Sequence, residues 1–201
     1  THNATRHCRV TSLIGGTGGW PRTVAIAFVG AMLVASAIAP VAGGAATDPD
    51  VTFVESDVTT DTTWTPGEGP YRIIQDVAVD PGATLTVAPG TRIEIAEDIT
   101  VTVSGSLRVN GTAASPVAIT RSEGAAADRR WEQLRYNGRA GSVLAVRHTT
   151  LTGGTTGITV ASDDGRVRVV DSTLRDFTTA GLAVEGTTAT PPIAVRRSTF
   201  R

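Results

Sequence analysis

Three charged residues recur at one place in a repeated motif. His148 stands third in Val146-Arg147-His148-Thr149-Thr150-Leu151, Asp171 third in Val169-Val170-Asp171-Ser172-Thr173-Leu174, and Arg197 third in Val195-Arg196-Arg197-Ser198-Thr199-Phe200. The copies are offset by 23 and then 26 residues. Stacked as neighbouring strands they would lie about 4.8 Å apart, with Asp171 between a cation above and a cation below. Arg175 and Asp176 follow the second copy, and Thr152, Arg175 and Arg201 form a further column. A carboxylate beside basic groups can hold a divalent cation or serve a proton transfer. The same residues make a charge-complementary surface ladder, and the lack of a dense Asp cluster favours the ladder.

Other candidates each have a plainer reading beside the functional one. Trp131 and Tyr136 suit a sugar-stacking platform, but burial against a neighbouring insertion explains them better. Asn110-Gly111-Thr112 fits an N-glycosylation acceptor and fits a turn equally well. Asp163-Asp164-Gly165 reads as a turn, because adjacent strand residues point to opposite faces. The columns Thr149/Ser172/Ser198 and Thr150/Thr173/Thr199 read as hydroxyl ladders at a corner. After residue 46 His148 is the lone histidine, and Cys8 is the lone cysteine. No metal site and no disulfide framework is expected.

The elements that position these residues are short strands repeating once per turn of a solenoid. Val77 and Val79 recur as Val101 and Val103, Leu85 and Val87 as Leu107 and Val109, and Ile93 and Ile95 as Val117 and Ile119. Leu144/Val146, Val167/Val169 and Ile193/Val195 continue one column set, Ile158/Val160 and Leu182/Val184 a second, and Leu151, Leu174 and Phe200 mark a third. Alternate residues point inward, so these aliphatics predict three stacked columns inside a tube. Gly82, Pro89-Gly90, Gly105 and Asn110-Gly111 fall at the corners. Residues 121–142 break the rhythm with a small-residue insertion. Residues 47–70 are turn-rich and are expected to form a leader and cap, with Phe53 and Trp64 plugging the first coil.

Aromatics make up only 4% of the chain, and the net charge is −1 with no lysine, which leaves no basic footprint for nucleic acid. Arg6, His7, Arg9 and Arg22 precede an apolar run from Val24 to Ala39 and a small-residue exit. Residues 1–46 therefore read as an export signal with cleavage after Ala46. A retained membrane anchor is the competing reading. Either way the remainder is expected outside the cytoplasm. The first residue is Thr and the last residues fall inside a repeat, so the chain is expected to be a fragment, truncated at its C-terminal side.

Several segments match, in order, the opening of secreted microbial right-handed parallel β-helix proteins. They are Trp64, Pro70-Tyr71, Gly82 to Thr91, Gly105 to Thr112, Pro116 to Thr120 and Trp131. Over residues 64–201 the chain thus resembles the pectin-lyase-like group. The resemblance implies an all-β fold, a right-handed parallel β-helix of about four to five coils over residues 71–201. It implies less about activity, because that group spans polysaccharide lyases, hydrolases and adhesins. In a lyase, carboxylates would hold Ca²⁺ against an acidic sugar, with His148, Asp171, Arg175, Asp176 and Arg197 as candidates. The paired Asp-Asp and Gly-His-Gly segments of polygalacturonase-like hydrolases are missing. The expectation is an exported, cell-surface or secreted module with a structural or binding role, without catalysis of its own and without a cofactor. Its partner would be a polysaccharide or a cell-surface component, with membrane contact only through an uncleaved N-terminal segment. The alternative is the N-terminal part of an extracellular polysaccharide lyase or glycoside hydrolase.

Overall fold

The computed structural model describes residues 51–126, 128–162, 164–185 and 192–201. The expected signal region, its cleavage point after Ala46, and Asp163 lie outside the described residues.

Strand β1 (Thr52–Val54) leads into rounds of three. The first is β2 (Thr62–Trp64), β3 (Tyr71–Ile73) and β4 (Val77–Val79), and the second β5 (Thr84–Val87), β6 (Arg92–Ile95) and β7 (Thr100–Val103). The third is β8 (Ser106–Asn110), β9 (Val117–Arg121) and β10 (Gln133–Tyr136), and the fourth β11 (Val143–Arg147), β12 (Thr149–Thr152) and β13 (Thr156–Val160). The last strands are β14 (Arg166–Val170), β15 (Thr173–Arg175), β16 (Ala180–Val184), β17 (Ile193–Arg196) and β18 (Thr199–Phe200). Each strand pairs in parallel with the one a round later, and three sheets of seven, five and six strands result. This is an all-β, right-handed parallel β-helix of about five turns.

Short β-branched runs explain the architecture. A segment such as Arg-Val-Arg-Val-Val in β14 buries alternate residues and leaves the others outside, in the pattern exposed-buried-exposed-buried. Val87, Val109 and Val169 are fully buried, as are Val79, Val103 and Val160. Each inward aliphatic contributes about 1.5–3 kcal/mol of burial energy, against the entropy of ordering its strand. At the first turn Trp64 stacks on Tyr71 with ring centroids 4.7 Å apart.

Three details differ from the sequence reading. Ile93 lies opposite Ile119, and Ile95 opposite Arg121, so Val117 is not the partner of Ile93. The corner from Gly111 to Pro116 holds more residues than its later counterparts, which shifts the third round by two positions. Phe53 does not plug the first coil, since it is 55% exposed while Trp64 is buried. Strands also begin before Tyr71: β1 pairs with β3 and β2 with β5.

A charged corner and a buried carboxylate

The corner from the six-stranded to the seven-stranded sheet is only one or two residues in the later rounds, and its first residue is charged each time. It is His148 between β11 and β12, Asp171 between β14 and β15, and Arg197 between β17 and β18. All three have left-handed backbone, with φ of 43°, 51° and 47°. Such angles are uncommon outside glycine, Asn and Asp, so His and Arg here need support from their neighbours. The next residue supplies it. Thr149 Oγ1 donates to the Arg147 carbonyl at 2.8 Å, Ser172 Oγ to Val170 at 2.9 Å and Ser198 Oγ to Arg196 at 3.0 Å. The two serine hydroxyls also accept along the column: Thr149 N–H donates to Ser172 Oγ at 3.2 Å, and Ser172 N–H to Ser198 Oγ at 3.3 Å. The recurring Ser/Thr after the charged residue is thus the chemical reason the tight corner repeats.

The corner brings His148, Asp171 and Arg197 together. Arg197 grips the carboxylate of Asp171 in a fork, Nε to Oδ1 at 2.5 Å and the terminal nitrogen to Oδ2 at 2.8 Å. His148 Nε2 stands 3.8 Å from Oδ2 on the other side. The hydrogen bonds from Arg197 hold the Asp171 carboxyl below its ordinary pKa, partial burial opposes them, and the charges of Arg197 and His148 add to the lowering. A carboxylate with both oxygens engaged by a guanidinium is a poor base and a poor cation ligand. Its geometry is that of a ladder.

Arg175 and Asp176 do not join this group. Arg175 ends β15, four residues beyond the corner and so about 13 Å along the strand, and is exposed. Asp176 is also left-handed, with φ of 67°, and its main-chain carbonyl accepts a bond from Arg130 at 2.6 Å.

The proposed aromatic platform is corrected. Trp131 and Tyr136 are both fully buried, so neither ring offers a face to a ligand. Trp131 donates from Nε1 to the Thr152 carbonyl at 3.0 Å and meets Phe177 edge-on at 5.9 Å. It presses so closely on Gly154 that a Cβ there would sit 2.7 Å from the indole. Tyr136 shares a hydrogen bond of 2.8 Å with Ser142, and burial raises its phenol pKa. Asn110 is exposed at the end of β8, opposite Arg147. Among the described residues no group of three His, Cys, Asp or Glu is gathered where it could hold a metal ion.

One charged group escaped the sequence reading. Glu94 is 1% exposed although it points away from the tube. Arg72, one round earlier, donates to its Oε2 at 2.6 and 2.9 Å, and Arg92 reaches its Oε1 at 3.0 Å. Glu123, on the insertion between β9 and β10, pairs with Arg92 from the other side. Thr120 lies beside Glu94 in register, and its hydroxyl is buried without a hydrogen-bond partner. The offset of 22 residues between Arg72 and Glu94 was the available signal, since it equals one turn.

Comparison with known proteins agrees with this architecture. Residues 56–150 match the model of a pectate-lyase-like β-helix domain. No curated protein and no solved structure matched the chain.

Proposed function

We propose that this pectate-lyase-like β-helix domain serves as an exported module, secreted or held at the cell surface, with a structural or binding role and no catalysis of its own. The observation that carries the reading is the state of Asp171. The one acid that stacking brings between two basic residues is neutralised by a forked guanidinium, leaving no free oxygen aimed at a ligand. Glu94 is likewise committed on both oxygens. Export rests on the basic, apolar and small-residue succession within residues 1–46, and a polysaccharide or another cell-surface component is the expected partner.

The deciding experiment incubates the protein with acidic polysaccharides, with and without Ca²⁺, and follows unsaturated products and new reducing ends. Absence of turnover is expected. Turnover abolished by Asp171→Ala or Arg175→Ala would replace the module with a lyase, in which calcium would then have a part. Sequencing the N-terminus of the mature protein tests export separately, with Thr47 as the expected first residue.

A further inference from the structure

The corners from the five-stranded to the six-stranded sheet change length from round to round. Residues 80–83 join β4 to β5, residues 104–105 join β7 to β8, and residues 137–142 join β10 to β11. The short middle corner turns close to the tube, while the longer ones on either side of it reach further out. Between them lies a recess of about 460 Å³, with Ser104 and Gly105 flanked by Pro81 to Thr84 on one side and Arg139 to Ser142 on the other. Gly105 has no room for a side chain, since a Cβ there would collide with the carbonyl oxygens of Asp80 and Ala83. Hydroxyls hold the long corner in shape: Ser104 Oγ donates to Asn137 Oδ1 at 3.1 Å, and Ser142 Oγ to the Arg139 carbonyl at 2.6 Å.

The groups left free in the recess are donors. Arg108 and Arg139 both line it, both are exposed, and neither has an ion pair or side-chain hydrogen bond among the described residues. Ser106 Oγ accepts the Val143 N–H at 3.1 Å, which leaves its own proton to give. The Thr84 hydroxyl has no partner among the described residues. No carboxylate lines the recess, and Asp164 lines only the adjoining hollow of about 140 Å³. Arg72, Arg92, Arg129, Arg135 and Arg197, elsewhere on the tube, all pair with acids. Within the six-stranded sheet, register places Arg108 and Arg168 in one outward column with Ala145 between them, and Arg147 and Arg196 in the next with Val170 between them. Of these four only Arg108 borders the recess, so Arg147 and Arg196 offer the same charge on the same sheet without it.

Two guanidiniums and two hydroxyls converging as donors select an anion with several acceptor oxygens. A carboxylate is satisfied by a single guanidinium fork, as Asp171 is by Arg197. A phosphate monoester offers a third oxygen and a charge of roughly −1.5 to −2 at pH 7. We propose that the recess binds a phosphate monoester, with the phosphate between Arg108 and Arg139 and the hydroxyls of Thr84 and Ser106 donating to it. The volume lies in the range of small-ligand pockets, so the recess takes the organic group beside the phosphate as well. The ligand is then a free phosphorylated small molecule or the phosphorylated end of a surface polymer, which share the group that is read. The site goes beyond the module reading above and stands whether or not the domain turns over a polysaccharide.

The test titrates glycerol 3-phosphate into the ¹⁵N-labelled protein at constant ionic strength and follows the amide shifts. Saturable shifts confined to the three corners and the start of β8 are expected. Arg108→Gln and Arg139→Gln should each weaken binding about tenfold, with unchanged unfolding midpoints. Arg147→Gln/Arg196→Gln, which removes more charge from the same sheet, should change it less than about twofold. Competition by an oligomer ending in a phosphate monoester would support a polymer source, and binding of the free ester without that competition a soluble one. No saturable shift, an equal loss in the Arg147→Gln/Arg196→Gln control, or galacturonate binding as tightly as the ester would overturn the proposal. Product formation from a polysaccharide would instead remove the non-catalytic reading and leave this site standing.

Discussion

Glu94 and Asp171 are both carboxylates held by an arginine one turn away, and both lie on the outside of the tube. Their surroundings separate them. Glu94 is buried and held by Arg72 and Arg92, whereas Asp171 sits at an open corner, gripped by an Arg197 whose side chain is 70% exposed. Stacking produces the same pair in both places, and solvent decides what the pair is for. At Glu94 a missing arginine strands a carboxylate away from water; at the corner, water takes the partner's place.

The comparison can be broken at its strong end first. Arg72→Met should destabilise the fold by about 3–5 kcal/mol in urea unfolding, because it removes both hydrogen bonds to one oxygen of the buried Glu94 carboxylate. A loss no larger than that of a surface substitution would mean that water reaches the carboxylate in place of the guanidinium. Next, Gly154→Ala should cost about 1–3 kcal/mol by forcing Trp131 from its seat at the end of the 122–130 insertion. Faster hydrogen exchange across residues 122–130 should accompany it, whereas unchanged exchange would uncouple the insertion from Trp131.

At the weak end, Asp171→Asn should barely move the thermal midpoint. Its effect should also depend on pH in one direction. The folded-state pKa of Asp171 is depressed, so its stabilisation is fully present above the unfolded-state value and fades as pH falls through the folded one. The midpoint difference between Asp171→Asn and the parent should therefore be present at neutral pH and vanish in strong acid. A difference that grows on acidification would show that the carboxyl is stabilised in its protonated form. The smallest effect belongs to the backbone: His148→Gly should leave stability unchanged or raise it by up to about 1 kcal/mol, by relieving the left-handed angle.

Much of this was readable from the chain itself, and the failures have physical causes. The three motif copies predicted the stacking of His148, Asp171 and Arg197, because a corner of fixed length preserves the count across it from turn to turn. Where a corner lengthens, as between Gly111 and Pro116, the count slips, and the expected partner of Ile93 moved from Val117 to Ile119. Trp131 and Tyr136 carried no periodic signal that would separate an outward ring from a buried one. Glu94 was hidden for a different reason. Alternation marks it as outward, and its burial comes with the arginines that close on it from its own strand and the one before. The arginine columns were written in the sequence too, but they become a pattern only once strand register aligns β8 with β11, β14 and β17.

The left-handed corners have a mechanical consequence. The hydroxyls of Ser172 and Ser198 tie each corner to the one before, so the crease between the two faces cannot open at one turn without disturbing its neighbours. Arg147 and Arg196 are the last residues before that crease. Their separation is consequently set by main-chain hydrogen bonds and not by whatever they touch. The six-stranded face behaves as a ruler whose graduations the protein has no inexpensive way to change.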